Sequence, residues 1–453
     1  MRLHPGRNAT FLRTAARAAP FALSFLLPAT EARAVPAFAR QTAEPCQVCH
    51  VGGFGPQLTP YGRNFKIHGY TQRTSHNNPL AVMVIASYLN TQKSQSPPPA
   101  GFAPNNNWAV DQVSLFLAGG WGDHFGAFVQ GTWDGVANQF HWDQTDLRAV
   151  DDVKVGRTDV TLGASLNNNP TVQDPWNTLP AWEFAYTTST LAPAPASAPV
   201  INGAFAQETI GLTGYAWIDS KYYLEGGAYW SPSANVLSSL GVDPAALGAI
   251  SGAAPYGRIA YQNDIGPGTL ELGAFVLQAH IFPGLDHTTG FTDRYTDLGV
   301  DGSYFVARKN GDVVTLQTRY VNESQRLDAT CALAGAPPAT CAHNSLRDWR
   351  IDASYYWRHR YGLTVQYFNT TGSPNDVIYA ANRTFKPDSA GFVVQVDTTL
   401  FPNADSFNHR ANARIGLQYT GYTQFNGAGR NFDGLANNAA DNNSLRVFIW
   451  VAD

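Results

Sequence analysis

The chain has 453 residues with few charges (14%), many aromatics (12%), 41 glycines and only two methionines, a balance unlike that of an ordinary charged-surface globular protein. A formal net charge of -4, with no run rich in Lys or Arg, excludes a nucleic-acid partner. It does not restrict small partners.

Taken in chain order, the N-terminus comes first. Arg2, Arg7, Arg13 and Arg17 precede an apolar run from Ala18 to Pro28, and Ala32-Arg33-Ala34 offers a small-residue cleavage site. Residues 1–34 therefore read as a secretory signal peptide, because the apolar run is too short to anchor the chain across a bilayer. Nothing later approaches eighteen unbroken apolar residues. Export without a transmembrane helix is the expectation, and it fixes an oxidising compartment for the four cysteines.

Residues 35–79 follow, with the triplet Cys46-x-x-Cys49-His50. This spacing attaches a c-type haem through two thioethers and supplies a proximal imidazole to the iron. A zinc site would want further Cys or His ligands, and a redox dithiol does not need His50; these are the competing readings. About 45 residues rarely build a core of their own. Phe38, Phe54, Tyr61 and Phe65 are candidates to pack on the ring, and Arg40, Arg63 and Lys66 are candidate propionate partners. Each is equally readable as plain packing or as a solvated charge. For the sixth iron ligand the candidates are His68 by reach, then Met83, then His76. Met83 stands in the strand-like AVMVIASYL, where wall packing is its plainer role, and an open or water-bound iron is a further alternative.

From about Leu80 the chain breaks into segments of roughly ten residues that alternate apolar with polar, the strand period. In RDWRIDASYYWRHR, Trp349, Ile351, Ala353, Tyr355 and Trp357 share one face, while Asp348, Arg350, Asp352, Ser354 and Arg358 share the other. Counting such segments predicts sixteen strands, at 81–91, 109–120, 124–134, 144–150, 157–165, 207–218, 221–231, 256–264, 269–281, 293–307, 311–324, 346–359, 361–371, 389–400, 408–424 and 443–452. Connections alternate long and short, the longest spanning 166–206. That rhythm is the signature of an outer-membrane barrel with short periplasmic turns and long outer loops. A secreted sandwich or solenoid has no reason to keep it. The fold expected for residues 80–453 is thus a mainly β, about sixteen-stranded antiparallel transmembrane β-barrel, with both chain ends periplasmic and the haem segment plugging or lining its lumen. The closing Asp453 stands where such barrels commonly end in an aromatic. Asp293, Asp297 and Asp301 fall on one strand face opposite Leu298 and Val300, so they are predicted to be luminal. They are either a path that concentrates iron(II) or a hydrated ladder balanced by Arg319 and Arg350. Cys331 and Cys341, in TCALAGAPPATC, are expected to form a local disulfide.

The stretch PAFARQTAEPCQVCH, followed by PQLTPYGRNFKIHGY, resembles the haem segment of the fused outer-membrane monohaem cytochrome-porins of iron-oxidising bacteria. The shared order is Pro36-x-Phe38-Ala39-Arg40, then Cys46-x-x-Cys49-His50, then Tyr61-Gly62-Arg63-x-Phe65-Lys66, then a porin-like barrel. NNNPTVQDPWNT at 167–178 and the closing DNNSLRVFIWVAD are similar to segments of such barrels. The resemblance implies one covalent haem c on Cys46, Cys49 and His50. It also implies oxidation of extracellular iron(II) and transfer of the electron to a periplasmic cytochrome or other soluble carrier, with outer-membrane lipid around the wall. No iron(II) site carries over. A different extracellular donor, or a transport porin gated by a haem plug, are the alternatives.

Overall fold

The computed structural model describes residues 37–74, 78–401 and 411–453. The signal peptide and His76 lie outside the described residues. The strands are β1 (Leu80–Thr91), β2 (Asn107–Trp121), β3 (Phe125–Asp134), β4 (Gln139–Val155), β5 (Thr158–Asn167), β6 (Ile210–Ile218), β7 (Tyr222–Trp230) and β8 (Ala249–Ile250). They continue as β9 (Ala254–Ile265), β10 (Gly268–Phe282), β11 (Asp293–Ala307), β12 (Val313–Leu327), β13 (His343–Trp357), β14 (Tyr361–Gly372), β15 (Ser389–Thr399), β16 (Asn412–Gln424) and β17 (Ser444–Ala452). Every neighbour is antiparallel, and β1 pairs with both β2 and β17, so the sheet closes on itself. β8 is a two-residue piece beside the end of β10; of the seventeen strands among the described residues, the other sixteen form the wall.

Alternation decides which way each side chain faces. On β11 the carboxylates of Asp293, Asp297 and Asp301 are buried toward the lumen, while Leu298 and Val300 stand outside, more than half exposed. Trp349, Tyr355 and Trp357 on β13 and Ile415 and Leu417 on β16 likewise join the exposed apolar jacket. A closed antiparallel barrel with an aliphatic and aromatic exterior satisfies every backbone group without water, which is the outer-membrane solution. Among the described residues, no helix is long and apolar enough to cross a membrane.

Two strands depart from expectation for a local reason. β4 begins at Gln139 rather than 144, because a register shift between Val129 and Gly131 of β3 lets QFHWDQ keep pairing after its alternation is interrupted. β8 was not expected, being too short to carry any period. The connection between β5 and β6 does not lie outside. It folds into the lumen, where Val172, Trp176, Leu179, Phe184, Ile201 and Phe205 are buried.

The haem-signature segment occupies the end of the lumen where the short turns lie. Gln41 accepts from Gly120 N at 2.8 Å, beside the β2–β3 turn, and Asn412 donates to Gly53 O at 2.9 Å at the foot of β16. Both ends of the wall share this side, since Val82 N donates to Asp453 O at 2.8 Å. Cys331 and Cys341 are joined by a disulfide, which closes a loop across a sequence separation of 10 between β12 and β13.

Val300→Arg, at mid-strand on the outer face, is expected to destabilise the barrel by about 2–4 kcal/mol. Urea unfolding in lipid vesicles checks this, and an unchanged midpoint would refute the assignment of that face to lipid.

Candidate functional site

The segment 46–50 is one helical turn, Cys46–Cys49, entered from Pro45, with His50 N donating to Cys46 O at 2.8 Å. Residues three and four apart share a helix face, so the turn presents Cys46, Cys49 and His50 to one side. Beyond it the chain reverses: Val51 N donates to Gln57 O at 2.9 Å, and His50 bridges Leu58. Gly52 takes a φ of 67° in this reversal, and a Cβ there would lie 2.3 Å from the Tyr356 ring.

The turn is braced by the helix Pro60–Ile67. Thr59 caps that helix by accepting from Gly62 N at 3.2 Å, and its own backbone N donates to Cys49 O at 2.9 Å. Gly62 is where the two pieces touch: a Cβ would sit 2.3 Å from the Cys49 carbonyl oxygen. The helix is then fastened to the wall at its C-terminal carbonyls. Arg148 of β4 donates to Lys66 O at 2.7 Å, and the Tyr215 hydroxyl donates to Ile67 O at 2.5 Å.

Cys46, Cys49 and His50 all border one cavity of about 340 Å³, within the range of cofactor pockets. Its near wall is Phe38, Phe54, Leu58, Phe65 and Tyr70 of the plug. The far wall is Met83 and Ile85 of β1, Phe116 of β2, Phe128 of β3 and Trp450 of β17, and Trp182 and Tyr186 of the inner loop close it from above. Phe54 packs on Trp450 at 4.7 Å between centroids, and Phe38 packs edge-on to Phe65 and stacked on Tyr70, both at 5.0 Å. Polar groups enter from Lys66, Asn177, Gln112 and Gln130.

The electrostatics suit a neutral ligand set. Burial lowers the His50 pKa to about 4, with Arg414 adding to the effect and a backbone group of Gly55 opposing it, so the imidazole is neutral near pH 7. Its Nδ1 is buried without a hydrogen-bond partner. Burial pushes the Cys46 thiol up to about 11 and the Cys49 thiol up to about 12, and the two are not joined to each other. Raised thiol pKa values are the reverse of what a reactive dithiol needs. Among the described residues, no set of three His, Cys, Asp or Glu side chains is placed to hold a metal ion, so the zinc reading gains no further ligand.

The other predicted residues separate. Phe38, Phe65 and Lys66 line the cavity; Lys66 Nζ is held by Val172 O and Asn177 Oδ1, both at 2.7 Å, and burial lowers its pKa to about 7. Tyr61 accepts from Gln72 at 2.7 Å, and Arg40 reaches the carbonyls of Asn78 and Leu80. Arg63 is buried but does not border the cavity, and its charge is felt by Glu271 and Asp174. His68 also faces away: it shares a separate recess with Asp152 and Thr161, with Nε2 3.2 Å from Thr161 Oγ1 and Nδ1 2.8 Å from Asn64 O. Met83, by contrast, points inward.

The carboxylate ladder is luminal but engaged, and not by the arginines expected. Asp301 receives both Arg258 nitrogens at 2.9 Å and Thr178 at 2.6 Å, Asp297 receives Ile201 N at 3.0 Å, and Asp293 receives the backbone N of Ala329 and Thr330. Arg319 and Arg350 pair with Glu183 and Asp348 instead. The inner loop supplies three of these partners, Thr178, Ile201 and Glu183. Its contribution to the cavity, Asn177, Trp182 and Tyr186, was missed by sequence reasoning; the one available signal was that so long a connection without regular structure is rarely idle.

No protein-family model matches the chain, and no curated protein does either. Among solved structures it is similar to an anion-selective porin from Comamonas acidovorans, at 13% identity over 82% of this chain and 98% of that one, with a TM-score of 0.45. OmpT of Vibrio cholerae gives 8% identity, 84% and 98% coverage and a TM-score of 0.41. Salmonella typhi OmpF in complex with daunomycin gives 12%, 83% and 97%, and 0.42. The barrel assignment rests on the strand pairing itself.

Gly62→Ala is expected to part the 46–49 turn from its brace at a cost of about 1–3 kcal/mol, as overpacking does. Limited proteolysis should then cleave between residues 44 and 60 while the barrel stays resistant; equal resistance to the parent would refute the contact.

Proposed function

We propose that this chain is an outer-membrane electron-transfer protein that carries one haem c in the plug cavity and passes electrons from an extracellular donor to a soluble periplasmic carrier. The donor implied by the resemblance is iron(II), which gives up one electron per turnover to the oxidised carrier. The observation that carries the proposal is that both free cysteines and the half-buried imidazole of His50 border the same largely apolar cavity.

The residues present suit the group. Cys46 and Cys49 would hold the porphyrin by thioethers, and His50 would ligate the iron through its ring nitrogen. Phe38, Phe54 and Phe65 give apolar walls, and Lys66 is the basic side chain that borders the cavity and would face an acidic edge. When bound, haem c supplies a one-electron carrier whose potential is set by its axial ligands and its burial. The protein's own work is to exclude water from that site and to keep the lumen shut. The plug fills the short-turn end, and the inner loop lies over it through Asn177, which accepts from Lys66 Nζ and donates to Pro56 O, each at 2.7 Å. Electrons can cross such a stopper by tunnelling; solutes need an opening.

Haem-stained denaturing gels of protein matured in the periplasm should show covalent haem, and a Cys46→Ser, Cys49→Ser variant should show none. Mixed with iron(II), the parent's haem bands should become reduced within milliseconds to seconds. Haem present but never reduced across acidic to neutral pH would reject iron(II) as donor. The second reading, a transport porin with a redox-sensitive plug, is favoured by the sixteen-strand wall and predicts substantial planar-bilayer conductance; the proposal predicts almost none.

A further inference from the structure

The cavity wall opposite the haem-signature turn contains one soft donor, the thioether of Met83. Resting on the haem reading above, we infer that Met83 of the barrel wall is the second axial ligand, so that the iron is shared between plug and wall. Met83 is the only methionine besides Met1. It faces inward on β1, is 9% exposed, and packs with Phe54, Ile85 and Trp450 on the same cavity as His50. Its cross-strand partners, Ala452 on β17 and Ser114 on β2, are small. An unbranched thioether between two short side chains has room to change rotamer toward the cavity.

Three other polar groups on the cavity are engaged. Lys66 Nζ donates to two oxygens, the Tyr70 hydroxyl donates to Asp146 at 2.6 Å, and Asp143 accepts from Gln130, Thr132 and Gln207. His68 is turned into its own recess against Thr161. Met83 requires no hydrogen bond and carries no charge, so aiming it at an apolar site leaves nothing unsatisfied. A His/Met pair holds a haem at higher potential than two nitrogens, which suits acceptance from a weak reductant.

The test uses the full chain purified with its haem. The oxidised parent should show the far-red sulfur-to-iron charge-transfer band, and the reduced parent a strongly upfield methionine methyl resonance. Met83→Leu should keep covalent haem on a stained gel, lose both signals and lower the midpoint potential. Met83→His should restore a low-spin spectrum without the band, which a merely packing role would not do. Parent haem that lacks both signals overturns the ligand alone, as does a spectrum untouched by Met83→Leu but altered by Lys66→Gln. A parent chain without covalent haem overturns this inference together with the reading on which it rests.

Discussion

The interior of this barrel depends on arginines that are paired on their own wall and then spend their remaining donors on the chain inside. Arg148 is held by Asp146 two residues earlier at 2.8 Å, which puts both on one strand face, and its terminal nitrogens reach the carbonyls of Lys66 and Gln173. Arg414 is paired with Asp397 and reaches Phe54 O; Arg446 is paired with Asp111 and reaches Thr187 O. A buried ion pair contributes little by itself, but removing one partner strands a charge at about 3–5 kcal/mol. The arrangement therefore stabilises one docked position of the plug and inner loop against all others.

From that constraint the site follows. The short segment around Cys46 and His50 does not close the cavity by itself, so the wall supplies the other half through side chains of β1, β2, β3 and β17. The inner loop supplies the lid. Buried Asp301, Asp297 and Asp293 are drawn into this scaffolding, each accepting hydrogen bonds from groups inside the barrel or on its wall.

How much of this was legible in the sequence depended on what the period could encode. Strands with one polar and one apolar face, such as β11 and β13, declared both their existence and their orientation. β1 did not, because Ala81, Val82, Met83, Val84 and Ile85 are apolar on both faces, and only the pairing shows which of them meet the plug. His68 looked close to the triplet along the chain, yet the helix face that meets Cys49 is that of Gly62, and the chain leaves this helix turned toward β4 and β5. The inward fold of the β5–β6 connection was invisible for a different reason. Its Asn and Thr residues are satisfied by plug and wall groups far off in sequence, such as Asn177 with Pro56 of the plug and Thr178 with Asp301 of β11.

The closing seam of the barrel has a consequence for the order of biogenesis. Met83 and Ala452 are opposite one another where the first strand meets the last, and both border the plug cavity together with Trp450. That chamber gains Trp450 and Ala452 only when the seam zips. On the proposed reading the prosthetic group must be fixed to Cys46 and Cys49 while the chain is still open in the periplasm. Insertion then wraps the wall around a cargo already loaded, and a chain that skipped loading would close on an empty chamber.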